Sequence, residues 1–241
     1  MLAMGNIADV LKDIFATSDV SVMYFVRTSD DLDEAGYASS TKAAQLRSAL
    51  LSTKILKAAA EKCRLQSIPY GDALLSLPIA ADRIALSEIA YANHHNQLKD
   101  AGKLTSLDEP LDSISKLELK FKNRMIGVKS LIKTKGGLNA HLPMIDFHCP
   151  VTSSNTQNVR EIIKQLNLAG YLINSGKSYH FIGRHHIDLC EMGKFLGRAL
   201  LFTPFVDRAW VAHQLIQSYC VLRVSAQPKY DHPPRLIAQI G

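Results

Sequence analysis

Three short segments of this chain carry residue types that could handle a phosphate ester. In Met144-Ile145-Asp146-Phe147-His148 the two-residue period of an extended chain puts Asp146 and His148 on one face and Ile145 and Phe147 on the other. A carboxylate and an imidazole side by side can ligate a divalent cation, or one can orient the other. In Ser175-Gly176-Lys177-Ser178-Tyr179-His180 a turn leads into a strand on which Ser178 and His180 share a face, with Lys177 and Tyr179 on the other. Hydroxyl, imidazole and turn N–H groups suit a phosphate, and Lys177 adds positive charge. In Leu222-Arg223-Val224-Ser225, Arg223 and Ser225 share a face of a late strand, where a guanidinium can clamp phosphate through two N–H groups.

Each segment also has a plainer reading. Asp146 and His148 equally describe a strand end with a capping acid and a half-exposed imidazole. Gly176 and its neighbouring serines equally describe a hairpin that serves backbone geometry alone. Arg223 equally describes a surface residue on an edge strand. Among the other histidines, His94 and His95 read as the surface of a polar helix, His185 and His186 as a solvated loop pair, and His213 as a helix residue able to face the sheet. Trp210 reads as core and Asp207 as a helix N-cap rather than a catalyst. Walker A, GxGxxG, GxSxG and HExxH motifs do not occur, which removes several common enzyme classes.

The elements that must position these residues follow from periodicity. Met1 to Thr17 reads as an amphipathic helix and Val20 to Val26 as a strand, followed by an acidic loop over Asp30 to Ser39. Helices are expected over Thr41 to Arg64 and Ile79 to Lys99, broken by Pro69 and Gly71, and a linker over Gly102 to Ser113. The second half opens with a strand-prone basic segment, Leu117 to Leu131, and a basic turn at Lys133 to Gly137. A short strand at Met144 to Phe147 precedes a helix over Asn155 to Leu168, capped by Ser154 or Asn155 and ended by Gly170. A hairpin joins Tyr171 to Asn174 with Ser178 to Ile182. Two helices follow, Asp188 to Phe202 and Asp207 to Ser218, then strands at Val221 to Ser225 and Leu236 to Ile240 around the loop Gln227 to Pro234. The expected fold is α+β, a mostly antiparallel sheet with packed helices over 114–241, preceded by a helix-rich region with one strand over 1–113.

Composition sets the outer bounds. The 241 residues are 47 % hydrophobic and 21 % charged, a globular balance rather than a disordered one. A net charge of +6 favours polyanionic partners. The cysteines, Cys63, Cys149, Cys190 and Cys220, form no CxxC pair, so neither a disulfide framework nor a zinc site is expected, and a reducing cytoplasm is. Met1 to Phe15 lacks a basic leader and carries two aspartates, so it does not read as a signal peptide, and no apolar run suits a membrane span.

Taken in order, the three segments resemble the archaeo-eukaryotic primase-polymerase superfamily. That family places an acidic pair on one strand, a small residue and a His two apart on a second, and an acid on a third. Ser178-Tyr179-His180 matches the second motif and Asp146 the first acid. Over roughly 117–241 the chain looks most like the divergent bacterial branch called primase one-D-like, which Phe195 to Leu200 and Val206 to Trp210 also resemble. His148 stands where the second acid belongs, and Val221 to Ser225 carries Arg223 and no acid. The resemblance implies a nucleotidyltransferase that binds NTP or dNTP and a single-stranded or primed template, with Mg²⁺ or Mn²⁺ on Asp146 and His148. It implies catalytic roles for Asp146, His148 and His180, and nucleotide contacts from Lys177, Ser178, His180 and Arg223. Template binding would fall to Lys120, Lys122, Arg124, Lys129, Lys133 and Lys135. Because two-metal phosphoryl transfer uses several carboxylates, the departures leave a second expectation open: a catalytically inactive nucleotide- and nucleic-acid-binding module of a larger replication or defence assembly, with no membrane partner.

Overall fold

A computed structural model describes residues 5–28, 54–68, 73, 76–77, 98–105, 110–122, 124–226 and 232–241. The chain divides by contact into two units, one made of Met1–Arg27 with Asp100–Gly241 and the other of Thr28–Lys99. The first helix and strand join the second half because their apolar faces are buried there. Within the smaller unit, helix α2 (Lys54–Gln66) buries Ala59, and Lys62 donates to the Ser76 carbonyl at 3.3 Å. The loop expected over 30–39 lies outside the described residues. Of the helix expected over 79–99, only Leu98 and Lys99 are described, and they open a strand.

In the larger unit α1 (Ile7–Thr17) begins at Asn6, whose side chain accepts the Asp9 N–H while the Asp9 carboxylate accepts the Asn6 N–H. This reciprocal box fixes the start, and Ile7, Val10, Leu11 and Ile14 form its buried stripe. Two antiparallel sheets follow. In the first, β1 (Val20–Thr28) lies between β2 (Leu98–Thr105) and β3 (Ile126–Thr134). The far edge of β3 is shared: β4 (Asn139–His141) pairs with its 131–133 half and β8 (Val221–Arg223) with its 127–129 half. The second sheet runs β5 (Met144–Asp146), β7 (Tyr179–Gly183), β6 (Gly170–Asn174), β9 (Arg235–Ile240). Gly170 is required where β6 meets β7, since a Cβ there would stand 2.2 Å from the Ile182 carbonyl oxygen. The α+β class and the antiparallel pairing are as the periodicity predicts.

The helices are α3 (Pro110–Lys120), α4 (Ser153–Gln165), α5 (Leu189–Leu200) and α6 (Arg208–Gln217). The segment 102–113 is not a linker: it holds the end of β2 and the start of α3. The segment 117–131 is not one strand. It completes α3, turns at Phe121 and Lys122, and becomes β3 at Ile126. Ile114 sits buried on α3 and Leu117 packs against the core, a helical spacing that outweighs the local strand propensity. Thr152, rather than Ser154 or Asn155, caps α4 by accepting the Asn155 N–H at 3.2 Å. Asn167, with φ of 59°, takes the left-handed position after α4, while Gly170 opens β6. Among the described residues no helix is long and apolar enough to cross a membrane.

Candidate functional site

The register of β5 and β7 sets Asp146 directly opposite His180. Opposed residues of an antiparallel pair have Cβ atoms about 5 Å apart. The His180 Nε2 accordingly stands 3.5 Å from Asp146 Oδ1. Tyr179, one residue earlier, points to the opposite face and is fully buried. Its hydroxyl donates to the Thr152 carbonyl at 2.9 Å and accepts the Thr152 N–H at 3.0 Å, and it meets the Thr156 hydroxyl at 2.8 Å. The alternation that aims His180 at Asp146 thus also fixes the start of α4.

Arg223 arrives from the other sheet. It is 7 % exposed, and its guanidinium donates to the carbonyls of Ser175 and Ser225. Ser175 opens the hairpin before His180, so this side chain ties β8 of one sheet to the β6–β7 turn of the other. Its backbone is held as well: Arg223 pairs with Gly127, and the Ile126 N–H donates to the Ser225 hydroxyl at 2.9 Å.

A second carboxylate completes the group. Asp207 caps α6, accepting the Trp210 N–H at 3.0 Å, while its own N–H donates to the Asp146 carbonyl at 3.0 Å. The bridge between Phe147 and Val206 brings the two stretches together. His148 Nδ1 lies 3.9 Å from Asp207 Oδ2, with 43 % of the His148 side chain exposed, a solvated pair that contributes little to stability.

The electrostatics follow from this packing. Burial raises the Asp146 carboxyl well above the usual range; Asp207 raises it further and Arg223 opposes the shift. Burial, then the Arg223 guanidinium, pushes His180 down to about 3. His180 is therefore neutral at neutral pH, and its contact with Asp146 is not an ion pair. Two carboxyls, a neutral imidazole and a buried guanidinium act on one another here.

The Ser178 hydroxyl donates to the Phe147 carbonyl and accepts the Cys149 N–H at 3.1 Å, joining β5 to β7. The hairpin N–H of Gly176 goes to the Asn174 side chain at 2.8 Å and that of Ser178 to the Ser175 hydroxyl at 3.2 Å. Lys177 is exposed at the turn. The basic residues do not form one run. Lys120 ends α3, Lys122 and Arg124 follow it, Lys129 and Lys133 lie on β3, and Lys135 comes after its far end. Lys129 is held by Asp100 at 2.7 Å and by the Tyr219 ring at 4.9 Å. His185 and His186 are exposed, His213 is half-buried on α6, and His94 and His95 lie outside the described residues. The indole N–H of Trp210 donates to the Val221 carbonyl at 3.1 Å, a core role.

Asp207 is the residue that sequence reading places elsewhere. Its position as an N-cap is correct, yet it lies 61 positions along the chain from Asp146, and the Phe147–Val206 bridge brings the two together. The arrangement does not fit a two-cation centre. Among the described residues no three His, Cys, Asp or Glu side chains are grouped to hold a metal ion. A guanidinium, which repels a metal cation, acts on the same carboxyl.

The family model described as archaeo-eukaryotic primase 1D-like matches residues 107–234. No curated protein matches the chain, and no solved structure matches it.

Proposed function

The chain belongs to the archaeo-eukaryotic primase 1D-like family, and on that premise we propose that it is a nucleotide- and nucleic-acid-binding module of the primase-polymerase type that does not carry out two-metal nucleotidyl transfer. The observation that carries this reading is Arg223. In the strand where the family's third acid belongs, this chain puts a buried cation whose N–H groups already bond two backbone carbonyls. Two-metal transfer needs carboxylates to hold and neutralise two cations. Asp146 has instead a neutral imidazole opposite it and a guanidinium beside it. The net charge of +6 supports attraction to a phosphodiester backbone, and exposed Lys177 at the hairpin can meet a nucleotide phosphate. Such a module would work beside other proteins of a replication or defence assembly.

A second reading, turnover on a single Mg²⁺ or Mn²⁺, is favoured by one observation: Asp207 supplies a carboxylate near Asp146 that the strand position of His148 lacks. The two readings separate in one assay. A labelled primed template is incubated with nucleotides and Mg²⁺ or Mn²⁺, using wild type, Asp146→Ala and His180→Ala. The binding-module reading expects no extended product from any of them while the wild type retains the labelled strand. Extension by wild type that both substitutions abolish would establish a nucleotidyltransferase and end that reading.

A further inference from the structure

The basic residues of 116–135 lie along an element sequence that separates them. Ile126 and Thr134 bound β3 and stand about 26 Å apart at about 3.3 Å per residue. Lys133 and Lys135 sit at one end, and Lys120, Lys122 and Arg124 at the other. In the middle, Lys129 is neutralised by Asp100.

The end that holds Lys120 is built around an aromatic ring. Arg27, from β1, stacks its guanidinium 4.6 Å from the centre of the Phe121 ring, and the Lys120 ammonium lies 5.1 Å from the same centre. Such contacts hold flexible cations in place. Backbone bonds fix the turn that follows: Phe121 N–H to the Leu117 carbonyl at 2.8 Å, and Arg124 N–H to the Phe121 carbonyl at 3.0 Å. Lys116, one helical turn before Lys120, is exposed, as are Lys120 and Lys122. Glu118, the acid among them, accepts the Ala226 N–H at 2.9 Å. This bond and the Ile126–Ser225 bond place the cluster beside the end of β8, two to three residues along the chain from Arg223.

We infer that a nucleic-acid backbone crosses the protein over the end of α3, on the surface formed by Lys116, Lys120, Lys122 and the Arg27–Phe121 stack, and runs from there toward the Arg223 end of β8, leaving Lys133 and Lys135 uninvolved. The inference rests on the nucleic-acid reading above and narrows it to one surface. Cations held on a ring lose less freedom when they meet phosphates, and their charges add in one place rather than along a strand.

The test is fluorescence anisotropy of a labelled single-stranded oligonucleotide, DNA and RNA in separate titrations, with the full chain over a series of salt concentrations. Lys120→Gln/Lys122→Gln is compared with Lys133→Gln/Lys135→Gln, all four being exposed positions. The first double variant is expected to weaken binding at least about fivefold and to lower the salt slope by about 1.4, the value for two lost contacts to a single strand. The second is expected to stay within about twofold of wild type. Phe121→Leu, which keeps apolar volume and removes the ring, is expected to weaken binding with no change in net charge. Equal weakening by the two doubles, or binding by wild type that neither alters, would overturn the inference while nucleic-acid binding itself stood. Absence of binding by wild type would remove both that reading and the inference.

Discussion

The N–H of Asp207 donates to the carbonyl oxygen of Asp146 at 3.0 Å, and through this bond the cap of α6 brings a second carboxyl to the Asp146–His180 pair. Its two roles can be separated. Asp207→Asn keeps a capping oxygen and removes the charge, whereas Asp207→Ala removes both. The alanine variant should lose about 1 kcal/mol in urea denaturation and the asparagine variant well under that. In both, the Asp146 carboxyl should titrate at lower pH, because Asp207 is one of the causes that raise it. Carbon-detected NMR of the side-chain carboxyls reads this directly, and an unmoved Asp146 titration in Asp207→Asn would contradict the pairing.

His180 makes the fold sensitive to acid. Folded, it stays neutral to about pH 3, whereas the unfolded imidazole takes its proton near 6.5. Below 6.5 the unfolded state binds one more proton, so stability falls as pH falls, by about 1.4 kcal/mol per unit. Asp146 acts oppositely: its raised carboxyl stays protonated in the folded state above 3.8, so its contribution is full below that value and declines as pH rises. His141, also lowered by burial, adds to the acid loss in every variant. Comparing wild type with His180→Gln isolates one term. Between pH 6 and pH 5 the wild type should lose about 1.2 kcal/mol more than the variant, and parallel losses would refute a neutral buried His180.

Arg223 should behave as structure rather than as a loose phosphate clamp. Arg223→Met strips the donor from the carbonyls of Ser175 and Ser225, both on buried residues. Each unsatisfied buried group costs about 1–3 kcal/mol, so a loss of about 3 kcal/mol in chemical denaturation is expected. His180 should then titrate above 3, since the cation that lowers it is gone. A variant as stable as wild type would mean that the guanidinium is not tied down.

Tyr179→Phe should act on α4 rather than on the Asp146–His180 pair. It removes a hydroxyl that bonds both the N–H and the carbonyl of Thr152. A loss of about 1–3 kcal/mol is expected, with faster amide exchange in the first turn of α4. Unchanged exchange there would contradict the role given to the hydroxyl.

Sequence reveals most where one period rules an element. The stripe Ile7, Val10, Leu11, Ile14, the Ser175–Gly176 hairpin and the alternation through Ser178, Tyr179 and His180 are local patterns, and the structure follows them. The stretch 117–131 misleads because its lysines and β-branched residues mask a helix whose buried side, Ile114 and Leu117, begins outside the strand-prone window. Asp207 near Asp146 and Arg223 against Ser175 come from pairings across 61 and 48 residues, which no short motif encodes. A capping acid looks the same in sequence whether its helix begins at the surface or beside a second carboxyl.

Nucleic-acid binding by this chain is expected to need no resident metal. The most direct measurement is the anisotropy of a labelled single-stranded oligonucleotide titrated with wild-type chain in EDTA and, at equal ionic strength, in Mg²⁺ or Mn²⁺. Saturable binding with the same Kd, within about twofold, is expected in all three, its strength falling with salt as phosphate contacts require. Binding that vanishes in EDTA and returns with either cation, and that Asp146→Ala abolishes, would contradict it.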